Sequence, residues 1–325
     1  MDQLIEEKLR ELRDALEGRL RPKQHLVFDP ANSAVYGGVA GGSLAVEQFE
    51  VAEGLTIRQT FAHVMSPYLI AFAKPDAASK PHPGPWRPAS GGIGFDVCIE
   101  VALAERASPI NFDRMNSVWW TLSLLRLITG MPLVLPVLSD TAFADARDCE
   151  HDPQFWPIEI SRPRMGPRVT NEVIGIDHLE AVRELFAPGA ALMNIEHFNR
   201  AYQTMDSAPF AHSSGAAMVM IWAALETLFR PGQNQLTKRL SKAIATYLED
   251  PGGKREALQQ RITQLYELRG SSVHNSQEAT GAALAESARL ARLAFITCIS
   301  QGAVPDCDTL LHHWLSEHIK NQTST

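Results

Sequence analysis

Residues 209–269 read PFAHSSGAAMVMIWAALETLFRPGQNQLTKRLSKAIATYLEDPGGKREALQQRITQLYELR. Two breakers divide the stretch, Pro231-Gly232 and Pro251-Gly252-Gly253. The three pieces between them, 209–230, 235–249 and 253–269, combine helix-forming residues with apolar positions at helical spacing and are predicted helices. Working outward, the same texture predicts helices near 177–187, 190–205, 279–301 and 306–320, and no convincing strand beyond about residue 176. The second half is therefore expected to be an all-α bundle of about 145 residues, enough for a core of its own. No repeat at a solenoid period is present.

Toward the N-terminus the texture changes. Glycine pairs stand at Gly37-Gly38, Gly41-Gly42 and Gly91-Gly92, with short apolar runs between them. FDVCIEV, residues 95–101, alternates as a strand does. KPDAASKPHPGPWRP, residues 74–88, holds five prolines and is expected to be a long surface loop. NFDRMNSVWWTLSLLRLIT, residues 111–129, is a strongly apolar predicted helix, with Asn111 or Ser108 as candidate cap and Gly130 and Pro132 ending it. Its Trp119-Trp120 pair reads as core. LVLPVL, residues 133–138, then reads as a strand carrying a proline at an edge or a bulge. Residues 145–172 are rich in proline and arginine, and the domain boundary is placed after them. The expected fold class is an α+β N-terminal domain over residues 1–175, in a sensor or regulatory role, followed by the helical bundle over 176–325. Within the first domain, Ile5, Leu9, Leu12 and Leu16 form a helical stripe. That stripe suits either a coiled-coil arm or a helix lying on its own domain.

At 325 residues the chain has room for about two domains. Its hydrophobic fraction of 45% and charged fraction of 21% exclude a disordered or collagen-like chain. The four cysteines, Cys98, Cys149, Cys298 and Cys307, form no CxxC pair, which excludes a zinc knuckle and a thioredoxin motif and suggests a reducing, cytoplasmic setting. Residues 1–21 are too charged for a secretory signal, and no apolar run is long enough to span a membrane. The net charge of −7 means that any nucleic-acid role rests on a local site. SGGIGF is not a dinucleotide fingerprint, and no P-loop or nucleophile elbow is present. Cys307, His312, His313 and His318 lack the i, i+4 spacing that chelates a metal on one helix face. Neither a metal nor a cofactor is expected.

One segment of the helical half concentrates chemistry: LYELRGSSVHNS, residues 265–276, with four residues between Arg269 and His274. IWAALETLF (221–229) and LTKRLSKAIATYL (236–248) precede it, and an alanine-rich helix and LLHHWL (310–315) follow. In this order the motifs resemble an Apea-like HEPN domain, over roughly residues 176–322. The resemblance implies a HEPN-like helical bundle and a metal-independent endoribonuclease. It implies a homodimer whose two Arg-x4-His motifs face each other across the interface, with Arg269 and His274 as catalytic residues. It also implies a place in a defence or toxin–antitoxin system, with a regulatory partner or antitoxin. Other members of the family are non-catalytic modules that dimerise or bind nucleotide or protein. Gly270 stands where active members often carry a polar residue, and Ser271, Ser272 and Asn275 are the polar groups nearby.

The residue types suit that chemistry. RNA carries its own nucleophile, the ribose 2'-hydroxyl. A histidine near neutral pKa can take or give its proton, and an arginine can fork two hydrogen bonds onto phosphate oxygens. On a straight helix, positions five apart are about 140° apart. A left-handed turn at Gly270 is expected to end the helix and bring Arg269 and His274 to one surface. Glu226, in the apolar run WAALETLF, either pairs with Arg269 and orients it or is an exposed glutamate. Among the supporting candidates, Ser271 and Asn275 offer polar contacts. Lys238, Arg239 and Lys242 open a basic run to Arg261 that either tracks an RNA backbone or is a solvated helix face. The bland reading of Arg269 itself is a helix-end cation.

Overall fold

Strands begin where the glycine-punctuated texture begins. The structure, a computed structural model, describes residues 33–66, 69–75, 77, 82–88, 93–150, 152–161, 163, 173–274 and 281–323. The stripe at Ile5–Leu16 lies outside the described residues. In chain order the strands are β1 (Val35–Ala40), β2 (Ser43–Leu44), β3 (Gln48–Ala52), β4 (Leu55–Ser66), β5 (Leu69–Ala71), β6 (Trp86–Pro88), β7 (Ile93–Leu103), β8 (Val134–Ser139), β9 (Phe155–Pro157) and β10 (Val173–Ile174). Six of them form one antiparallel sheet in the order β3-β4-β7-β1-β8-β9. The alternating FDVCIEV run lies in β7, where Val97, Ile99 and Val101 are fully buried. Part of the proline-rich stretch forms β6, which among the described residues pairs only with the short β5 and leaves Trp86 half exposed. That is the edge position at which proline is tolerated.

β8 lies between β1 and β9, so Pro136 sits in a central strand. The register of β1 slips between Gly38 and Ala40, opposite Val137 and Val134. This bulge is where the missing N–H does no harm. Gly37 and Gly38 have a separate task. A Cβ on Gly37 would collide with Val118, and one on Gly38 would sit 2.8 Å from the Phe143 ring. Bare backbone lets a helix close on one face of β1 and the 140–146 loop close on the other.

The helices are α1 (Arg114–Thr129), α2 (Ile176–Leu192), α3 (Glu196–Ser207), α4 (Ser214–Phe229), α5 (Leu236–Leu248), α6 (Gly253–His274), α7 (Gly281–Gln301) and α8 (Cys307–Thr323). Among the described residues no strand follows Ile174. No helix of the described residues is long and apolar enough to cross a membrane. Three boundaries differ from expectation. α1 is capped by Asp113, whose carboxylate accepts the Asn116 N–H at 2.8 Å, rather than by Asn111 or Ser108. α2 runs through Pro188, because the proline and Glu184 one turn earlier both lie on the solvent side. There water can take the unbonded carbonyl. The segment 208–210 is a single 3-10 turn, and Ser213 starts α4 by accepting the Ala216 N–H at 3.1 Å.

α1 is the middle layer. It packs on β1, β7 and β8 from one side and on α2, α3 and α7 from the other. Both sides being covered, its residues are buried almost all round, which is why its sequence lacks amphipathic periodicity. Trp120, Tyr202, Phe198 and Phe295 meet on the helical side, with ring centroids 5.0 Å (Trp120–Tyr202) to 5.9 Å (Phe198–Tyr202) apart. One continuous set of buried side chains extends from Val35 in β1 to Trp314 in α8, crossing the 175/176 position.

Candidate functional site

α4 and α6 pack side by side, and their facing residues build the site. Trp222 on α4 is fully buried, and Tyr266 on α6 meets it edge to face, 5.2 Å between centroids. This contact sets the register of the two helices. One turn beyond Trp222, Glu226 accepts the Tyr266 hydroxyl at 2.8 Å. One turn beyond Tyr266, Arg269 lies over its ring at 5.4 Å and brings Nη2 to 3.7 Å from Glu226 Oε1. Glu226 thus faces Arg269, one of the two readings open from sequence. Tyr266, visible in the YELR lead-in but given no role there, is the residue that joins them.

The electrostatics leave the cluster under-filled. Burial pushes the Tyr266 phenol up to about 12, helped by its bond to Glu226 and opposed by Arg269. It therefore stays a donor at neutral pH. Arg269 and Glu226 are both about a quarter exposed (28% and 26%). An ion pair that wet and that long contributes about 0–1 kcal/mol. Arg269 Nε is buried and has no hydrogen-bond partner among the described residues. That nitrogen is out of reach of a ligand, but among the described residues the Nη groups make only the long contact to Glu226, so the exposed edge of the guanidinium retains donors for an incoming anion.

The expected break at Gly270 does not occur. α6 continues to His274, and Gly270 is not in the left-handed region. Glycine costs about 1 kcal/mol inside a helix. The packing of a 22-residue helix against α4 and α5 offsets that. On an unbroken helix, positions 269 and 274 are about 140° apart, so one chain does not bring them to a single surface. Ser271 and His274 lie in the last turn of α6, and their side chains are outside the described residues, as is all of Asn275.

The basic run is divided among other partners. Lys238 is exposed. Arg239 donates to Pro231 O at 2.6 Å and pairs with Asp308 at 2.5 Å. Lys242 lies 5.2 Å over Trp314, and burial lowers its pKa, with Lys238 adding to the effect. Arg255 is buried against Glu249 O, and Arg261 grips Glu286 on α7. Among the described residues, no group of three or more His, Cys, Asp or Glu is placed to hold a metal ion. All four cysteines are free.

A second arginine cluster went unread in the sequence. Arg126 of α1, 8% exposed, donates Nε to Leu133 O at 2.8 Å and Nη1 to Asp206 at 3.0 Å, and pairs through Nη2 with Glu159. The Asp206 and Glu159 charges raise its pKa against the opposing effect of burial. Asp206 also accepts from Ser123 at 2.8 Å. The available signal was an arginine embedded in LLRLIT, the same kind of signal that singled out Glu226.

Compared with known proteins, the chain matches no family model, no curated protein and no solved structure.

Proposed function

We propose that the chain is a metal-independent endoribonuclease of the HEPN type, acting as a homodimer. The observation that carries the reading is the guanidinium of Arg269, steered by Glu226 and Tyr266, on the same helix as His274. Because positions 269 and 274 of one chain diverge, the active groups come from two chains: Arg269 of one beside His274 of the other. One His274 takes the 2'-hydroxyl proton, and the 2'-oxygen attacks phosphorus. Arg269 holds the phosphorane oxygens. The other His274 gives a proton to the departing 5'-oxygen, leaving a 2',3'-cyclic phosphate. Ser271 and Asn275 are supporting polar groups in this reading, and of Lys238, Arg239 and Lys242 it is Lys238 that is exposed. The N-terminal α+β region senses a trigger, and the system is one of defence or toxin–antitoxin type, restrained by a regulatory partner or antitoxin.

The continuity of α6 through Gly270 favours a second reading, a non-catalytic HEPN module that dimerises or binds nucleotide or protein. The two separate in one experiment. Wild type and His274→Ala are incubated with a mixed RNA pool in EDTA, with end-group analysis and sedimentation of both proteins. Cleavage by the wild-type dimer alone, leaving 2',3'-cyclic ends, supports the enzyme. Equal cleavage by both removes His274 from the mechanism. A folded dimer that leaves RNA intact moves the assignment to the binding module.

A further inference from the structure

A cavity of about 390 Å³ opens where the C-terminus of α1 meets α3, α4 and α7. It lies apart from the Glu226–Arg269 cluster, and the following inference is independent of the ribonuclease reading. Its volume falls in the range of small-molecule sites, about 300–1,000 Å³. Met131, Met205, Pro209, Phe210 and Ile221 form apolar walls. Two of these are methionines, whose flexible side chains adapt to an irregular apolar guest. The polar lining is one-sided: Arg126, Arg289 and Arg292 against the single acid Asp206. Asp206 is already bonded to Arg126 and Ser123, so it does not offset Arg292, while Arg289 has Glu286 of its own helix within electrostatic reach.

Arg292 is the informative one. Its Nε donates to Leu127 O at 2.6 Å and its Nη2 to Ile128 O at 2.5 Å, capping the last turn of α1. Gly130, at φ 71°, leaves space for Nη1, with which an added Cβ would collide. The helix end offers about half an elementary negative charge, so about half of the cation is left uncompensated. Burial lowers its pKa, and among the described residues no carboxylate acts against that. Arg289, one turn earlier on α7, stands exposed at the cavity mouth. An uncompensated guanidinium facing an apolar chamber is complementary to an anion with an apolar body. A monoanion suits it better than a dianionic phosphate, whose burial costs more.

We propose that this cavity binds an amphipathic monocarboxylate, with its acyl body among Met131, Met205, Phe210 and Ile221 and its carboxylate on Arg292 and Arg289. The test is calorimetric titration of the full chain with decanoate below its micellar concentration. Decanol serves as the uncharged body and acetate as the headgroup alone. Saturable one-to-one binding of decanoate is expected, at least about tenfold tighter than decanol, the difference a charge-assisted contact makes. Acetate is expected to bind far more weakly, because it leaves the apolar walls unfilled. Arg292→Met removes the head contact but also a helix cap, so two milder variants keep the question open to refutation. Arg289→Ala, at an exposed position, weakens decanoate about fivefold with an unchanged melt. Ala288→Phe fills the chamber and abolishes binding while decanoate still binds wild type. Equal affinity for decanoate and decanol, absence of saturable decanoate binding, or undiminished binding by a cooperatively folded Ala288→Phe protein would each overturn the proposal.

Discussion

Arg126 and Arg269 are both arginines projecting from helices toward carboxylates, and they differ in every respect that decides what an arginine does. Arg126 is buried and has two carboxylates and a carbonyl arranged around its three nitrogens. Among the described residues Arg269 has one carboxylate at 3.7 Å, an aromatic face and a buried Nε without a hydrogen-bond partner. A guanidinium with every nitrogen bonded inside the protein serves the fold. One that is aimed but unfilled has bonding capacity left for a ligand.

The sharpest way to break this contrast is to remove each charge. Arg126→Met strands Asp206 and Glu159 near the core and is expected to cost about 3–5 kcal/mol in urea denaturation. Arg269→Ala is expected to cost less than about 1 kcal/mol. Similar losses at the two positions would erase the distinction. Next in size, on the ribonuclease reading, His274→Ala is expected to lower RNA cleavage about 100-fold or more with little change in stability. Arg269→Lys keeps the charge but loses the fork, and is expected to weaken RNA binding about tenfold. A lysine that serves equally well would mean that Arg269 acts only as a charge. Tyr266→Phe deletes the bond to Glu226 and is expected to cost about 1 kcal/mol. It also loosens the orientation of Arg269, visible as a cleavage loss larger than the stability loss.

The smallest effect is the pH dependence at Tyr266. Its folded pKa lies above the ordinary value of 10.0, at about 12. The folded state therefore holds the proton more tightly, and the resulting stability is complete below 10 and fades as pH rises through 12. The wild type should lose stability more steeply over that interval than Tyr266→Phe, and in phenolate absorbance the variant should lack one of the late-titrating tyrosines that burial also makes of Tyr36, Tyr202 and Tyr247. Parallel stability curves would place Tyr266 in a wetter setting.

Local signals made the elements legible, and distant partners hid the rest. Pro231-Gly232 and Pro251-Gly252 punctuate helices as breakers do, since their effect acts within a residue or two. Gly270 misled because a glycine's preference is worth about 1 kcal/mol and packing overrides it. Pro188 misled for a related reason: a helix tolerates the lost bond where the carbonyl faces water. Glu226 and Arg269 were legible as candidate partners because each is a charge in an apolar helical context. Their bridging through Tyr266 needed the register of α4 against α6, which no local pattern encodes. The Arg126 cluster was hidden because its carboxylates lie 33 and 80 residues away.

The placement of α1 between the sheet and the other helices has a dynamic consequence. A helix buried almost all round between Val118 and Leu127 has no broad wet face from which it can peel away while its neighbours stay in place. The amide protons of Val118 through Leu127 should then exchange with deuterium only when the whole molecule opens, at a rate set by global unfolding. Exchange in this one helix would serve as an internal clock for the complete protein, against which faster local openings elsewhere can be timed.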